Sequence, residues 1–182
     1  MTRSIRITNL CLLLLLSASA CSKPAGNSGS GPQTPAGTPA LVEDKRVTSA
    51  GVVKVTTQPV EITAGGSGEA TVGLTIEKGY HINANPPAYS YLIATELTIL
   101  PADGVSAGSV TYPKALNKKF VFAEKPLAVY EGETKVKTTL KADKSAKPGQ
   151  HSLAAKLRIQ ACDEQVCYPP GTLDLVIPVS IK

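Results

Sequence analysis

The 182-residue chain has no tryptophan, only two phenylalanines, two histidines and a single methionine, which is residue 1. So few aromatics, with no basic stretch interleaved among them, leave no stacking platform for single-stranded nucleic acid, which is not expected as a partner. Soft ligands are equally scarce. A metal chaperone built on Cys162 and Cys167 would need further sulfur ligands, and Met1 offers none. Zinc would have to recruit His81 and His151, isolated residues that read as strand positions. No metal and no other cofactor is expected. Paired-carboxylate motifs, a nucleophile elbow and a phosphate-cradling glycine loop are missing too; Gly65-Gly66-Ser67-Gly68 lies between strand patterns and reads as a turn. The longest apolar run, around Leu10 to Leu16, falls short of the roughly 20 residues that a membrane-spanning helix needs.

That run belongs to a three-part secretory signal: Arg3 and Arg6, the apolar core, then Ser17-Ala18-Ser19-Ala20 before Cys21. Ala18-Ser19-Ala20-Cys21 resembles the bacterial lipobox, although Ala18 stands where leucine is usual. The resemblance implies that Cys21 is acylated through its sulfur and becomes the first mature residue; ordinary signal cleavage nearby is the alternative. Cys11 leaves with the signal. Residues 22–47 are rich in Ser, Gly, Pro, Ala and Thr, a composition that cannot offset the entropy of ordering. The expected organisation is a signal peptide over 1–20, a lipidated Cys21 and flexible tether over 21–47, and one folded domain over 48–182. Losing Arg3 and Arg6 takes Lys plus Arg from 19 to 17 against 14 Asp plus Glu, a mild net charge of +3. Extracytoplasmic anchoring to a bacterial membrane follows, and Ser22 after the cysteine would permit transport to an outer membrane.

Within the domain, apolar residues alternate with polar ones at period two: Val53/Val55, Val60/Ile62, Val72/Leu74/Ile76, Leu97/Ile99, Val110/Tyr112, Leu127/Val129, Val136/Thr138/Leu140, Leu153 to Ile159 and Leu173 to Ile181. Such segments are strands buried on one face. Breakers such as Asn85-Pro86-Pro87, Pro101-Ala102-Asp103-Gly104 and Lys147-Pro148-Gly149 separate them at the spacing of an all-β antiparallel sandwich. No helix is predicted. The stretch from Lys114 to Pro126 fits least well: it holds four lysines and both phenylalanines, Phe120 and Phe122. It reads either as an aromatic plug at a sandwich edge or as a loop covering a site.

Cys162 and Cys167 flank a four-residue connection between the two longest strand patterns. With Leu153, Ala155, Leu157, Ile159 and Ala161 on the core face, alternation puts Cys162 on the opposite face, where its thiol is expected to be reachable. A hairpin through Asp163 to Val166 would bring the α-carbons within the roughly 4.4–6.8 Å of a disulfide. As a staple the bond would be poorly placed, since closing six residues constrains the unfolded chain by only about 2 kcal/mol. A redox pair and a structural bond both remain open on these residues alone.

Gln160-Ala161-Cys162, followed by Cys167-Tyr168-Pro169-Pro170, resembles the signature of the N-terminal domain of the thiol:disulfide interchange protein DsbD. Ile76 to Asn85 resembles the family's early Gly-aromatic strand, and Tyr112-Pro113 through Tyr130-Glu131-Gly132 resembles the stretch that holds its cap loop, so the likeness spans roughly Val53 to Ile181. It implies an immunoglobulin-like domain relaying electrons by thiol-disulfide exchange, with Cys167 attacking and Cys162 resolving. It also implies a cap-loop phenylalanine, Phe120 or the nearby Phe122, and a site lined by Tyr80, His81, Asn83 and Tyr168. Implied partners are a membrane electron-donor reductase and thioredoxin-like proteins, with the module itself a monomer.

Two departures matter. The membrane carrier and thioredoxin-like domains that follow this domain in DsbD are not in the chain, so reductant would come from a separate protein. The chain is at most one component of an interchange system. Lys118 and Lys119 stand where some relatives carry acidic residues, which puts tuning by carboxylates in doubt and favours a thiolate. The competing function is a non-catalytic binding or scaffold lipoprotein that keeps Cys162–Cys167 as a structural disulfide.

Overall fold

The computed structural model describes residues 47–182. The expected signal peptide, the expected acylation site Cys21 and residues 22–46 of the expected tether lie outside the described residues. No helix among the described residues is long and apolar enough to cross a membrane.

A single 3-10 turn, Ala50–Val52, precedes twelve strands: β1 (Val53–Thr57), β2 (Val60–Ile62), β3 (Ser67–Ile76), β4 (His81–Asn83), β5 (Glu96–Ile99), β6 (Val105–Thr111), β7 (Leu116–Lys118), β8 (Leu127–Tyr130), β9 (Glu133–Ala142), β10 (Gly149–Ile159), β11 (Ala161–Cys162) and β12 (Gly171–Ile181). They form three four-stranded sheets, ordered β1-β3-β9-β6, β2-β12-β10-β5 and β11-β4-β8-β7. Pairing is antiparallel except between β2 and β12, which run parallel. The architecture is an immunoglobulin-like β-sandwich.

Its main core follows from the alternation. On β3, Ala70, Val72, Leu74 and Ile76 point inward, and on β9 so do Val136, Thr138, Leu140 and Ala142. All of these but Thr138 meet Leu153, Ala155, Leu157 and Ile159 of β10 and Ile177, Val179 and Ile181 of β12 in one apolar cluster. Interleaved residues such as Lys135, Lys137 and Lys141 stay exposed. That division stabilises this register, because slipping a strand by one residue would exchange its buried and solvated sets.

The third sheet positions the site. After Ile159 the chain leaves the β10 ladder at Gln160 and resumes as β11, which pairs with β4 rather than with β12 or β5. One face of this sheet, with Ala161, Ile82 and Tyr130, belongs to the main core. Its other face carries Leu127 and Val129, which pack with Phe120 and Ala123 in a second, smaller apolar cluster. A sheet covered on both sides needs no polar face, so β4 is buried at every position. This is why its three residues carry no period-two signal.

The start of the domain is fastened to the cysteine segment. The buried Ser49 donates its hydroxyl to the Pro169 carbonyl at 2.7 Å and accepts the Ala161 amide at 2.9 Å. Close approach is possible because residue 171 is glycine: a β-carbon there would lie 2.8 Å from the Ala50 nitrogen. Gly171→Ala should therefore destabilise the fold by about 1–3 kcal/mol, as overpacking does. A lowered urea midpoint at unchanged slope would be the sign of it.

Candidate functional site: a capped disulfide

Cys162, at the end of β11, is joined to Cys167 in a disulfide whose α-carbons are 3.9 Å apart. That is closer than the range expected from the sequence, because the two residues face each other as an antiparallel bridge. The turn between them is organised by Asp163. Its amide donates to the Val166 carbonyl at 2.9 Å, and its carboxylate accepts the amides of Gln165 and Val166, both at 2.8 Å. The Tyr168 hydroxyl adds a bond to the same carboxylate at 2.5 Å.

These bonds favour the ionised carboxylate. The Tyr168 hydroxyl, followed by the Gln165 amide, holds Asp163 below its ordinary value of about 3.8. The same hydrogen bond pushes the Tyr168 phenol up to about 12. A depressed carboxylate contributes stability that is complete above the unfolded-chain pKa and is lost as pH falls through the folded value. Tyr168→Phe should move the Asp163 pKa back toward 3.8 and shrink that acid-side loss. Carbon-13 NMR titration of the carboxyl group would register the change.

The two sulfurs are not equivalent. Cys162 is completely buried, whereas Cys167 is partly exposed. Alternation does place Cys162 on the face opposite Ala161, but the expectation that its thiol is therefore reachable is overturned. That face is roofed rather than solvated. Residues 119–126, between β7 and β8, fold over it and bury Phe120 to 1% exposure. The Phe120 ring stacks on His81 with centroids 4.1 Å apart and on Phe122 at 5.4 Å. Phe122 itself is 42% exposed. Tyr89 and Leu92 pack against the same cluster, and the Tyr89 hydroxyl accepts the Lys125 amide at 3.0 Å, tying the β4–β5 connection to the cap.

Lys118 and Lys119 do not act as free positive charges beside the sulfurs. Lys118 bonds Glu131 at 2.7 Å and Glu164 at 2.9 Å, with its ammonium 5.4 Å from the Phe120 ring centroid. Lys119 donates to the carbonyls of Ala123 and Glu124. The expectation that Lys118 and Lys119 favour a thiolate is corrected accordingly. Carboxylates are present after all, supplied by Glu131 after β8 and by Asp163 and Glu164 in the turn. Nothing in the lysine-rich stretch itself pointed to partners that distant in sequence.

Beneath the cap, β4 presents His81 and Asn83 on one face, both fully buried. Burial, reinforced by Lys118 and opposed by Glu131, Glu164 and Asp163, lowers the His81 pKa to about 4, leaving a neutral ring at neutral pH. The Asn83 amide donates to Gln160 Oε1 at 3.0 Å and to the Ile93 carbonyl at 3.2 Å. Gln160 Oε1 also accepts the Ile93 amide at 2.9 Å, and its own amide reaches the Tyr168 carbonyl at 3.3 Å. Gln160 thus ties β4, the β4–β5 connection and the cysteine turn together. Its place before Cys162 was the available signal, but a motif position does not reveal a bonding role. Tyr80 lies half-buried with its ring 6.1 Å from Tyr168. Among the described residues, no group of three or more His, Cys, Asp or Glu side chains is placed to hold a metal ion.

Beside Cys167 opens a groove of about 380 Å³ lined by Tyr91, Leu92, Phe122, Gln160, Gln165 and Val166 among others. Tyr91 is 72% exposed and Val166 50%, so apolar side chains share the mouth of the groove with Gln160 and Gln165.

The family described as "Thiol:disulfide interchange protein DsbD, N-terminal" matches residues 49–176. This chain belongs to that family. As a DsbD N-terminal domain protein it carries a thiol-disulfide interchange module, with its cysteine pair joined in a disulfide. Among solved structures, the N-terminal periplasmic domain of ScsB from Proteus mirabilis is similar at 14% identity, TM-score 0.46, over 70% of this chain and 45% of that one. The complex between the DsbD N-terminal and PilB N-terminal domains from Neisseria meningitidis is similar at 20% identity, TM-score 0.42, over 67% and 80%. A PapD-like domain of human CEP192 is similar at 12% identity, TM-score 0.40. The chain spans under half the length of the ScsB domain. No curated protein sequence matches it.

Proposed function

We propose that this protein is a lipid-anchored, extracytoplasmic relay that passes electrons between a membrane reductase and thioredoxin-like proteins through Cys162 and Cys167. The observation that carries this reading is the asymmetry of the bond. One sulfur, Cys167, sits partly exposed at the groove, and the other, Cys162, is completely buried beside His81, on which Phe120 stacks. In the reduced module the Cys167 thiolate attacks a partner disulfide, one partner sulfur leaves as thiolate, and Cys162 then resolves the mixed disulfide. An accessible sulfur beside a roofed one suits exchange, in which one sulfur meets the partner and the other resolves. Acylation of Cys21 would hold the domain at the membrane surface while residues 22–47 let it reach its donors and acceptors.

The test is equilibration of the purified chain in glutathione buffers of graded potential, with free thiols at Cys162 and Cys167 read by alkylation and peptide mass spectrometry. A midpoint within about −180 to −270 mV, the span of known exchange proteins, is the expected result. A bond still oxidised below about −300 mV would assign the pair a structural role and the protein a scaffold function.

A further inference from the structure

Three buried side-chain atoms among the described residues have no hydrogen-bond partner: both ring nitrogens of His81 and Oδ1 of Asn83. All three lie on the capped face of β4, whereas the buried Ser49, Thr95 and Thr138 hydroxyls are bonded. An orphaned buried polar group costs stability, so its retention calls for a state in which it is satisfied. The register of β11 on β4 indicates that state. Cys162 is paired directly with His81 and Ala161 with Ile82, so the Cys162 and His81 side chains project from the same face as cross-strand neighbours. Such pairs hold their β-carbons about 4.5–5.5 Å apart. In the disulfide, Cys162 Sγ has neither a proton to donate nor a charge to stabilise. Reduction creates both.

We infer that His81 is the hydrogen-bond partner of Cys162 in the reduced protein, a positioning residue that serves both the thiol and the thiolate of that buried sulfur. The inference rests on the exchange function proposed above. In a neutral imidazole the nitrogen facing Cys162 Sγ is bare in one tautomer, where it accepts the S–H of the thiol, and protonated in the other, where it donates to the thiolate. The groups around the ring are consistent with neutrality: burial and Lys118 oppose its protonation, and the carboxylates of Glu131, Glu164 and Asp163 only partly offset them. Phe120, stacked at 4.1 Å, fixes the ring plane.

When a partner dithiol reduces the module, a partner thiolate attacks Cys167 Sγ. The new S–S bond forms as the Cys162–Cys167 bond breaks, and the bonding pair leaves on Cys162 Sγ. His81 N–H stabilises that thiolate. The partner's second thiol gives up its proton, Cys162 takes one, and the second partner sulfur then attacks the mixed disulfide and releases Cys167 as thiolate. Two electrons and one proton have moved from the partner to the module.

The test compares wild type with His81→Phe, which keeps the aromatic stack and lacks nitrogen, and with His81→Leu. In glutathione redox equilibria of the full chain, both substitutions should lower the equilibrium constant for reduction about tenfold, which is about 30 mV toward more reducing potentials. Urea unfolding of the oxidised protein should show no loss of stability for at least one of them, since the nitrogens have no partner in that state. His81→Gln, which retains a donor and an acceptor, should recover part of the constant. In wild type, nitrogen-15 NMR of the His81 ring should shift on reduction, a readout that needs no substitution. Unchanged redox constants in the folded variants, or a ring spectrum indifferent to reduction, would overturn the inference. A wild-type midpoint outside the exchange span would instead sink the functional reading beneath it.

Discussion

Cys162→Ser and Cys167→Ser should both abolish exchange, yet leave single thiols of very different reactivity. In Cys162→Ser the remaining sulfur is the partly exposed Cys167 at the groove, and it should react with iodoacetamide as an ordinary surface thiol and collect partner proteins as stable mixed disulfides. In Cys167→Ser the remaining sulfur is completely buried on the face where Phe120 stacks on His81. Reagent reaches it only when the cap opens. If opening costs about 3 kcal/mol, comparable with removing a buried phenylalanine side chain, alkylation at Cys162 should be roughly 100-fold slower. Equal rates for the two variants would contradict the division of labour between an attacking Cys167 and a resolving Cys162.

Phe120→Ala should produce the second large effect. The ring is 1% exposed, stacks on His81 and Phe122 and anchors the cluster of Ala123, Leu127 and Val129. Its loss should lower stability by about 3–5 kcal/mol, the usual range for a buried phenylalanine. A more specific consequence separates a lid from a mere core residue. In the Cys167→Ser background, Phe120→Ala should speed alkylation of Cys162 by up to about 100-fold, since the opening cost has largely gone. Leu140→Ala, in the main core and remote from the cap, is the control. Destabilisation of similar size there should leave Cys162 shielded under conditions where the protein remains folded. If both substitutions expose Cys162 alike, Phe120 is only part of the general core.

Most of the sandwich was legible in the sequence because its long strands bury one face and solvate the other. Val136, Thr138 and Leu140 on β9 and Leu153 to Ile159 on β10 alternate as read, and both are strands. In the third sheet β8 was legible through Leu127 and Val129, but the other three strands were not. β4 is buried throughout, β11 has two residues, and β7 lies within a lysine-rich stretch whose apolar Leu116 is 54% exposed. Period two marks a strand only where one side meets water. The same limit explains the misjudged Cys162. Its facing followed from alternation, but what covers that face is a segment some 40 residues earlier in the chain, and no local pattern encodes that contact. Likewise Lys118 showed its charge in the sequence, while the folded chain supplied the carboxylates of Glu131 and Glu164 beside it.

The sheet formed by β11, β4, β8 and β7 is shared between two apolar clusters that differ greatly in size. Its inner face is committed to the sandwich, so Ile82, Ala161 and Tyr130 cannot change without repacking the whole domain. The outer face depends on a handful of side chains around Phe120, and substitutions there are felt by the cysteine pair before they are felt by the sandwich. Changes on this face that keep its few buried side chains filled can therefore vary the lid and groove while the sandwich beneath stays as it is.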